Sequence, residues 1–278
     1  MPKVGAHVSA AGNLSLSLDR AWELGAQCTQ IFISPPQQWA KVNHSDQIIE
    51  EYRRKTESTK ISPNFIHAVY LINLASPNPE LVRKSIDWLI YSQKLAEKLG
   101  MKGTIFHLGS FKNSTEEKAL KQVIEAIKEI LGSSGQVNLI LENSAGAGNL
   151  IGDSFREIGE IVRRVNDSRV KVCLDTQHAF ASGIDVKSQE GLNKTLQEFD
   201  REVGLKNLIA IHANDSKTEF NSKRDRHENI GEGFIGLEGF RNIINHPILK
   251  DIPFILEVPG EGSGPDTNNI LRLKNLIH

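Results

Sequence analysis

Eight times along this chain a short apolar run is followed by a stretch whose apolar residues recur at helical spacing. The runs fall at 4–9, 29–34, 64–67, 104–107, 137–143, 170–176, 208–214 and 254–258. Most are continuously apolar, which suits parallel strands buried on both faces rather than strands with one wet side. The helical stretches fall at 14–24, 46–57, 80–99, 114–131, 155–165, 192–203, 237–244 and 267–276. In the third, Leu81, Ile86, Leu89, Ile90 and Leu95 trace one face and Gly100 marks the stop. In the fourth, Ser114 with Glu117 three residues later reads as a capping box. Eight strand–helix units over about 250 residues predict a (β/α)₈ TIM barrel of class α/β. A doubly wound open sheet is the competing arrangement. No Pro/Gly/Ser-rich linker divides the chain, so one domain over residues 1–278 is expected.

Composition narrows the setting. Hydrophobic residues make up 39% of the chain and the net charge is −1, which is neither disordered nor a strongly basic coat protein for nucleic acid. No apolar run approaches the roughly 18 residues of a membrane span. Residues 1–13 lack the apolar core of a secretory signal. Cys28 and Cys173 both lie in strand-like runs and are expected as reduced, buried thiols of a cytoplasmic protein.

In a barrel of this kind the chemistry sits at the C-terminal ends of the strands. Those ends read His67, His107, Glu142, Asp175 with His178, His212, then Asp225 and His227 in the following loop, then Glu257. His7 ends the first strand and points to the same mouth. A lone histidine at a strand end is usually a hydrogen-bonded structural residue, and a lone carboxylate there is often a helix cap. Five histidines and four carboxylates converging on one mouth are another matter, because uncompensated carboxylates packed together raise one another's pKa. Divalent cations remove that problem. Imidazole with carboxylate suits zinc, with manganese or iron as substitutes. A catalytic zinc takes about three protein ligands, so nine candidates suit three ions, one carboxylate bridging two of them. Two ions about 4 Å apart suit in-line displacement at phosphorus. Loaded with three dications, the acidic mouth becomes net positive and receptive to phosphate.

Several blocks also resemble a known family. Gly5-Ala-His-Val-Ser-Ala-Ala-Gly12, Leu141-Glu-Asn-Ser-Ala-Gly146, Leu174-Asp-Thr-Gln-His178 and Ile211-His-Ala-Asn-Asp-Ser216 are similar to signatures of endonuclease IV. Asp225-Arg-His227 with Gly231-Glu-Gly233 resembles its metal-binding loop, and Leu256-Glu257 its last strand. The resemblance runs from about residue 3 to the C-terminus, in order. It implies a TIM barrel with three zinc ions that cuts duplex DNA 5′ to abasic sites, leaving a 3′-hydroxyl and a 5′-deoxyribose phosphate, and that also clears blocked 3′ ends. It implies that His67, His107 and Glu142 hold one ion. Glu142, Asp175, His212 and Glu257 would hold a second, and His178, Asp225 and His227 a third. Glu142 and Glu257 would be the catalytic carboxylates, Glu257 as base or orienter.

For DNA, the resemblance places Tyr70 and Leu71 at positions that penetrate the base stack, a wedge combined with nucleotide extrusion. Read from the residues alone, the same pair begins a helix and packs on the barrel. Gln37 falls where relatives carry an inserting arginine, Gln177 where many carry cysteine, and Leu108 where a proline is usual. Lys41, Lys112, Lys217, Lys223, Arg224 and Arg226 sit in loops of the same face, where phosphate contacts would position a duplex without reading sequence. The expected protein is a monomer that makes no membrane contact. Two rivals are a sugar isomerase or epimerase on the same barrel, which has little use for a third metal, and a non-catalytic damage binder, which predicts a degraded ligand set.

Overall fold

The apolar runs pair edge to edge and the sheet closes on itself. The computed structural model describes residues 1–262 and 264–278. Its strands are β1 (Val4–His7), β2 (Thr29–Ile31), β3 (Asn64–His67), β4 (Gly103–His107), β5 (Asn138–Glu142), β6 (Val170–Asp175), β7 (Leu208–His212), β8 (Asp215–Ser216), β9 (His227–Glu228) and β10 (Phe254–Leu256). The helices are α1 (Leu16–Glu23), α2 (Asp46–Thr59), α3 (Pro79–Leu99), α4 (Glu116–Ser133), α5 (Phe155–Val165), α6 (Thr176–Ser182), α7 (Gln189–Glu202), α8 (Gly236–Ile244) and α9 (Thr267–Lys274). Around the barrel the order is β1-β10-β7-β6-β5-β4-β3-β2, closed. All its pairings are parallel, and the closure of the sheet, with β1 bonded to both β10 and β2, excludes the open doubly wound arrangement.

Strand side chains alternate between two destinations. One set packs outward against the helices in the main apolar core, as Ile66, Leu141 and Val172 do. The other set points inward, where Cys28, Phe65, Ile105, Ile140, Cys173, Ala210 and Ile255 form a separate, fully enclosed cluster. β1 contributes Gly5 to this layer. A Cβ there would lie 1.9 Å from the Cys28 carbonyl oxygen, so only glycine lets the two strands approach. Cys28 and Cys173 are free and buried as expected. Burial pushes their thiols up to about 12 and about 11, so they stay protonated.

The helices start and stop on local signals. α3 has Pro79 in its first turn, and the Asn78 carboxamide oxygen accepts the Glu80 N–H at 3.0 Å, a cap that stabilises a helix by about 1 kcal/mol. Gly100 ends it in the left-handed region at φ 70°. α4 departs from the capping box expected at Ser114. The Ser114 N–H is already donated to Phe111 in a preceding turn, and Thr115 caps the helix instead. Two elements go beyond the eight strand–helix units: α6, directly after β6, and the antiparallel ribbon of β8 with β9. Nor do residues 70 and 71 begin a helix; both lie in a turn. Among the described residues, no helix is long and apolar enough to cross a membrane.

Candidate metal centre at the barrel mouth

The inward register of the barrel delivers the site. Moving two residues toward the mouth from each inward core position gives His7, Gln30, His67, His107, Glu142, Asp175, His212 and Glu257. Their side chains face one another by the period-2 geometry of a strand. Six of the nine residues expected at the site come from this ring.

Ligand atoms gather in three overlapping groups, each with all its atoms within 4.8 Å of one another. His67, His107 and Glu142 form the first; Glu142, Asp175, His212 and Glu257 the second; Asp175, His178 and His227 the third. Glu142 lies between two groups, its Oε2 3.3 Å from His67 Nε2 and its Oε1 2.9 Å from His212 Nδ1. Asp225 stands beside the third group, 3.3 Å from His178 Nε2 and 3.4 Å from His227 Nε2.

His178, Asp225 and His227 come from elsewhere. Asp175 caps α6, its Oδ1 accepting the His178 N–H at 2.8 Å, which turns the His178 side chain into the mouth. Asp225 and His227 ride on the β8–β9 ribbon. Buried Asp215 ties that ribbon down by accepting N–H groups of Ser216, Gly231, Gly233, Ile235 and Gly236. Gln177 Nε2 donates to the Arg224 carbonyl at 2.9 Å, one residue before Asp225.

Hydrogen bonds on the far side of three imidazoles fix which nitrogen is free. His67 Nδ1 donates to the Ala68 carbonyl at 2.7 Å, and His178 Nδ1 to the Asn143 carbonyl at 3.0 Å. Their Nε2 atoms are left for a ligand role. His227 Nδ1 lies 3.3 Å from the Glu257 carbonyl oxygen, with the same consequence. The Nε2 atoms of His178 and His227 are buried and have no hydrogen-bond partner. Two buried ring nitrogens without a hydrogen-bond partner, set beside a carboxylate, are what a cation site needs and what a purely structural cluster avoids.

The electrostatics agree. Burial opposes charge on His67, His178 and His212, yet the surrounding carboxylates outweigh it and raise all three, the last two well above the ordinary imidazole value. Burial alone would raise Glu142 and Glu257, but the facing histidines hold both well below the usual range. Burial likewise works against ionised Asp225, and His178 overcomes it to bring the carboxyl to about 2. For His7 and His107 burial prevails and lowers the pKa. The carboxylates thus pull protons onto histidines, the arrangement that releases protons when a metal displaces them.

A cavity of about 980 Å³ opens onto the groups, walled by His7, Phe32, Tyr70, Arg226 and Glu257 among others. Tyr70 is 61% exposed on its rim, its ring edge-on to Phe32 and His67, while Leu71 is half-buried against the core. Gln37 is exposed in the turn after β2, and Gln38 N–H closes that turn on Pro35. Arg226 is exposed and donates to the Asp225 carbonyl. Lys217 is exposed, 3.8 Å from Glu228, and Lys223 donates to the Ser182 carbonyl. Lys41, Lys112 and Arg224 are exposed on loops.

Gln30, Asn143, Asn214 and Asp215 join the site without having been expected there. Asn143 Oδ1 accepts the Asp175 N–H at 2.7 Å. Asn214 Nδ2 donates to Asp175 Oδ2 at 2.6 Å while its Oδ1 accepts the Glu257 N–H. A signal for Gln30 does exist, since it is the inward position of β2 once Cys28 is set in the inner layer.

The fold and this mouth define the class first: residues 18–275 match the family described as xylose isomerase-like TIM barrel. The chain is 41% identical to the "Probable endonuclease 4" of Halothermothrix orenii, an alignment spanning 99% of each protein. The crystal structure of endonuclease IV from Thermus thermophilus is 32% identical and superposes with a TM-score of 0.87, covering 99% of this chain and 98% of that one. This chain belongs to the endonuclease IV family. A D-tagatose 3-epimerase-like protein, 16% identical with a TM-score of 0.73 over 99% of this chain and 95% of that one, shares the fold alone.

Proposed function

We propose that this protein is a DNA-repair endonuclease that hydrolyses the phosphodiester 5′ to abasic sites in duplex DNA. Its products would be a 3′-hydroxyl and a 5′-deoxyribose phosphate, and it would also clear blocked 3′ ends. The observation that carries this reading is the trio of overlapping ligand groups opening into one cavity. The orphaned nitrogens of His178 and His227 fit a bound cation, and the nitrogen–oxygen donor set without thiolate fits zinc. His67, His107 and Glu142 would hold one zinc; Glu142, Asp175, His212 and Glu257 the next; His178, Asp225 and His227 the third, with Asp175 close by. Bound there, the ions supply Lewis-acid activation of water and charge neutralisation on phosphate oxygens.

The chain's own groups do the rest. Glu257, held ionised and fixed through Gln30 and Asn214, is placed to accept or orient a proton at the reacting phosphate. Glu142 is the shared carboxylate between the first two groups. Tyr70, exposed on the rim with Leu71 behind it, is suited to fill the gap left by an extruded nucleotide, with Gln37 beside it in place of a cation. Arg226 and Lys217 would contact phosphates.

A sugar isomerase or epimerase is the reading that the shared fold alone would favour. The third group at His178 and His227 supports the phosphodiesterase, because isomerisation has no need of it. Metal analysis with nicking of an abasic duplex decides. About three zinc per chain and loss of nicking on exhaustive chelation are expected. Activity on ketoses with an intact abasic strand would overturn the proposal.

A further inference from the structure

Gln30 is the one member of the inward ring that is neither an ionisable group nor a metal ligand candidate, and its side chain is fully buried. Its backbone is already satisfied in the β1–β2–β3 ladder, and the adjacent Thr29 turns the other way, donating its hydroxyl to Asn64. Both ends of the Gln30 carboxamide go to the site. Nε2 lies 2.5 Å from Glu257 Oε1 and 3.0 Å from His7 Nδ1, and Oε1 lies 2.8 Å from His212 Nε2.

These contacts dictate the orientation of the amide. Turned over, it would set its oxygen against the Glu257 carboxylate and its N–H₂ against the His212 ring nitrogen that carries the proton. As placed, Nε2 donates to Glu257 and Oε1 accepts the His212 Nε2–H. With the Nε2–H committed to Gln30, His212 Nδ1, 2.9 Å from Glu142 Oε1 and 3.3 Å from Glu257 Oε2, is the nitrogen left for a cation. The second Nε2 hydrogen of Gln30 is directed at His7 Nδ1, which also lies 3.3 Å from Glu257 Oε1.

We infer that Gln30 is a positioning residue that sets the tautomer of His212 and the orientation of Glu257 with one amide, so that both present their ligand atoms to the same cation. This rests on the metal reading above. Gln30 reaches no substrate. Partners of this kind, bonded behind a metal ligand, typically contribute 10–100-fold to metal affinity or activity.

The test compares wild-type protein with Gln30→Met, similar in size but unable to hydrogen-bond, and Gln30→Glu, which still accepts from His212 but, when ionised, cannot donate to Glu257. Zinc retention is measured by competition with a chelating dye, without DNA, and kcat and KM on an abasic duplex are measured in parallel. Gln30→Met is expected to release one zinc per chain about 10–100-fold more readily and to lose kcat. Gln30→Glu, which keeps the His212 contact, is expected to weaken zinc retention less than Gln30→Met does while kcat falls about tenfold, with KM unchanged in both. Zinc retention and kcat at wild-type levels in Gln30→Met overturn the inference. Should Gln30→Met not fold, Gln30→Glu decides alone, and zinc retention and kcat both at wild-type levels overturn it. Wild-type protein that holds no zinc overturns the metal reading and this inference with it. Variants indistinguishable from a zinc-loaded wild type overturn the role of Gln30 only.

Discussion

The candidate ligand set has two parts built on different principles. His67, His107, Glu142, Asp175, His212 and Glu257 stand on or directly after barrel strands, where neighbouring backbones fix every Cα. His178 stands on the short helix α6. Asp225, in the β8–β9 loop, and His227, at the start of β9, stand in an excursion that leaves the barrel after β7 and returns before α8. The first part is positioned by the sheet. The second is positioned by single side chains, chiefly Asp215 gathering glycine N–H groups and Gln177 holding Arg224. The barrel therefore holds only part of the proposed metal site rigidly, on strand-borne carboxylates and imidazoles; the rest depends on loop anchors that can be cut one at a time.

Experiments can break this contrast. The largest effect is expected at Glu142→Ala, on the strand side, because two groups share that carboxylate: zinc content falls by more than one ion and nicking by well over about a hundredfold. If only one zinc leaves, the shared position is wrong. His227→Ala, on the ribbon, is expected to lose a single ion and leave the other two with unchanged chelator competition. Asp215→Asn replaces a carboxylate acceptor with one oxygen and adds two donors among buried N–H groups. A destabilisation of about 1–3 kcal/mol is expected by denaturant titration, with faster proteolytic nicking in residues 216–236 and the zinc on the barrel strands retained.

The smallest effect lies outside both parts. Glu157, on α5, accepts the Gly152 N–H, and burial raises its carboxyl to about 7. A carboxyl raised in the folded state favours folding below its unfolded value of about 4.3, and that contribution disappears as pH climbs toward 7. Glu157→Gln is expected to flatten the stability profile between those values, by an amount of order 1 kcal/mol, without touching zinc or nicking. A profile unchanged by the substitution would show that Glu157 is ionised throughout.

The same contrast explains what could be read from the sequence. Strand ligands were legible because continuous apolar runs fix the strands and the ends of those runs are where polar residues intrude, as at His107, Glu142 and His212. The barrel and the convergence of its mouth followed. His178, Asp225 and His227 rest on motif resemblance, whereas the short helix and ribbon that carry them have no periodicity to detect. The cap of α4 slipped by one residue because Ser114 and Thr115 are equally able caps and a local turn chose between them. Tyr70 and Leu71 escaped the helical reading because the Tyr70 N–H is held by the Pro36 carbonyl, a contact between loops that no window along the chain contains.

The enclosed layer of Cys28, Phe65, Ile105, Ile140, Cys173, Ala210 and Ile255 lies directly beneath the ligands. It makes the barrel a vessel with a stopper at its base, since close-packed apolar interiors admit neither hydrated ions nor water files. On the proposed function, cations and substrate would then share one doorway. A duplex seated across it would also be a lid on the metals, so enzyme engaged on DNA should surrender its zinc to a chelator more slowly than enzyme at rest.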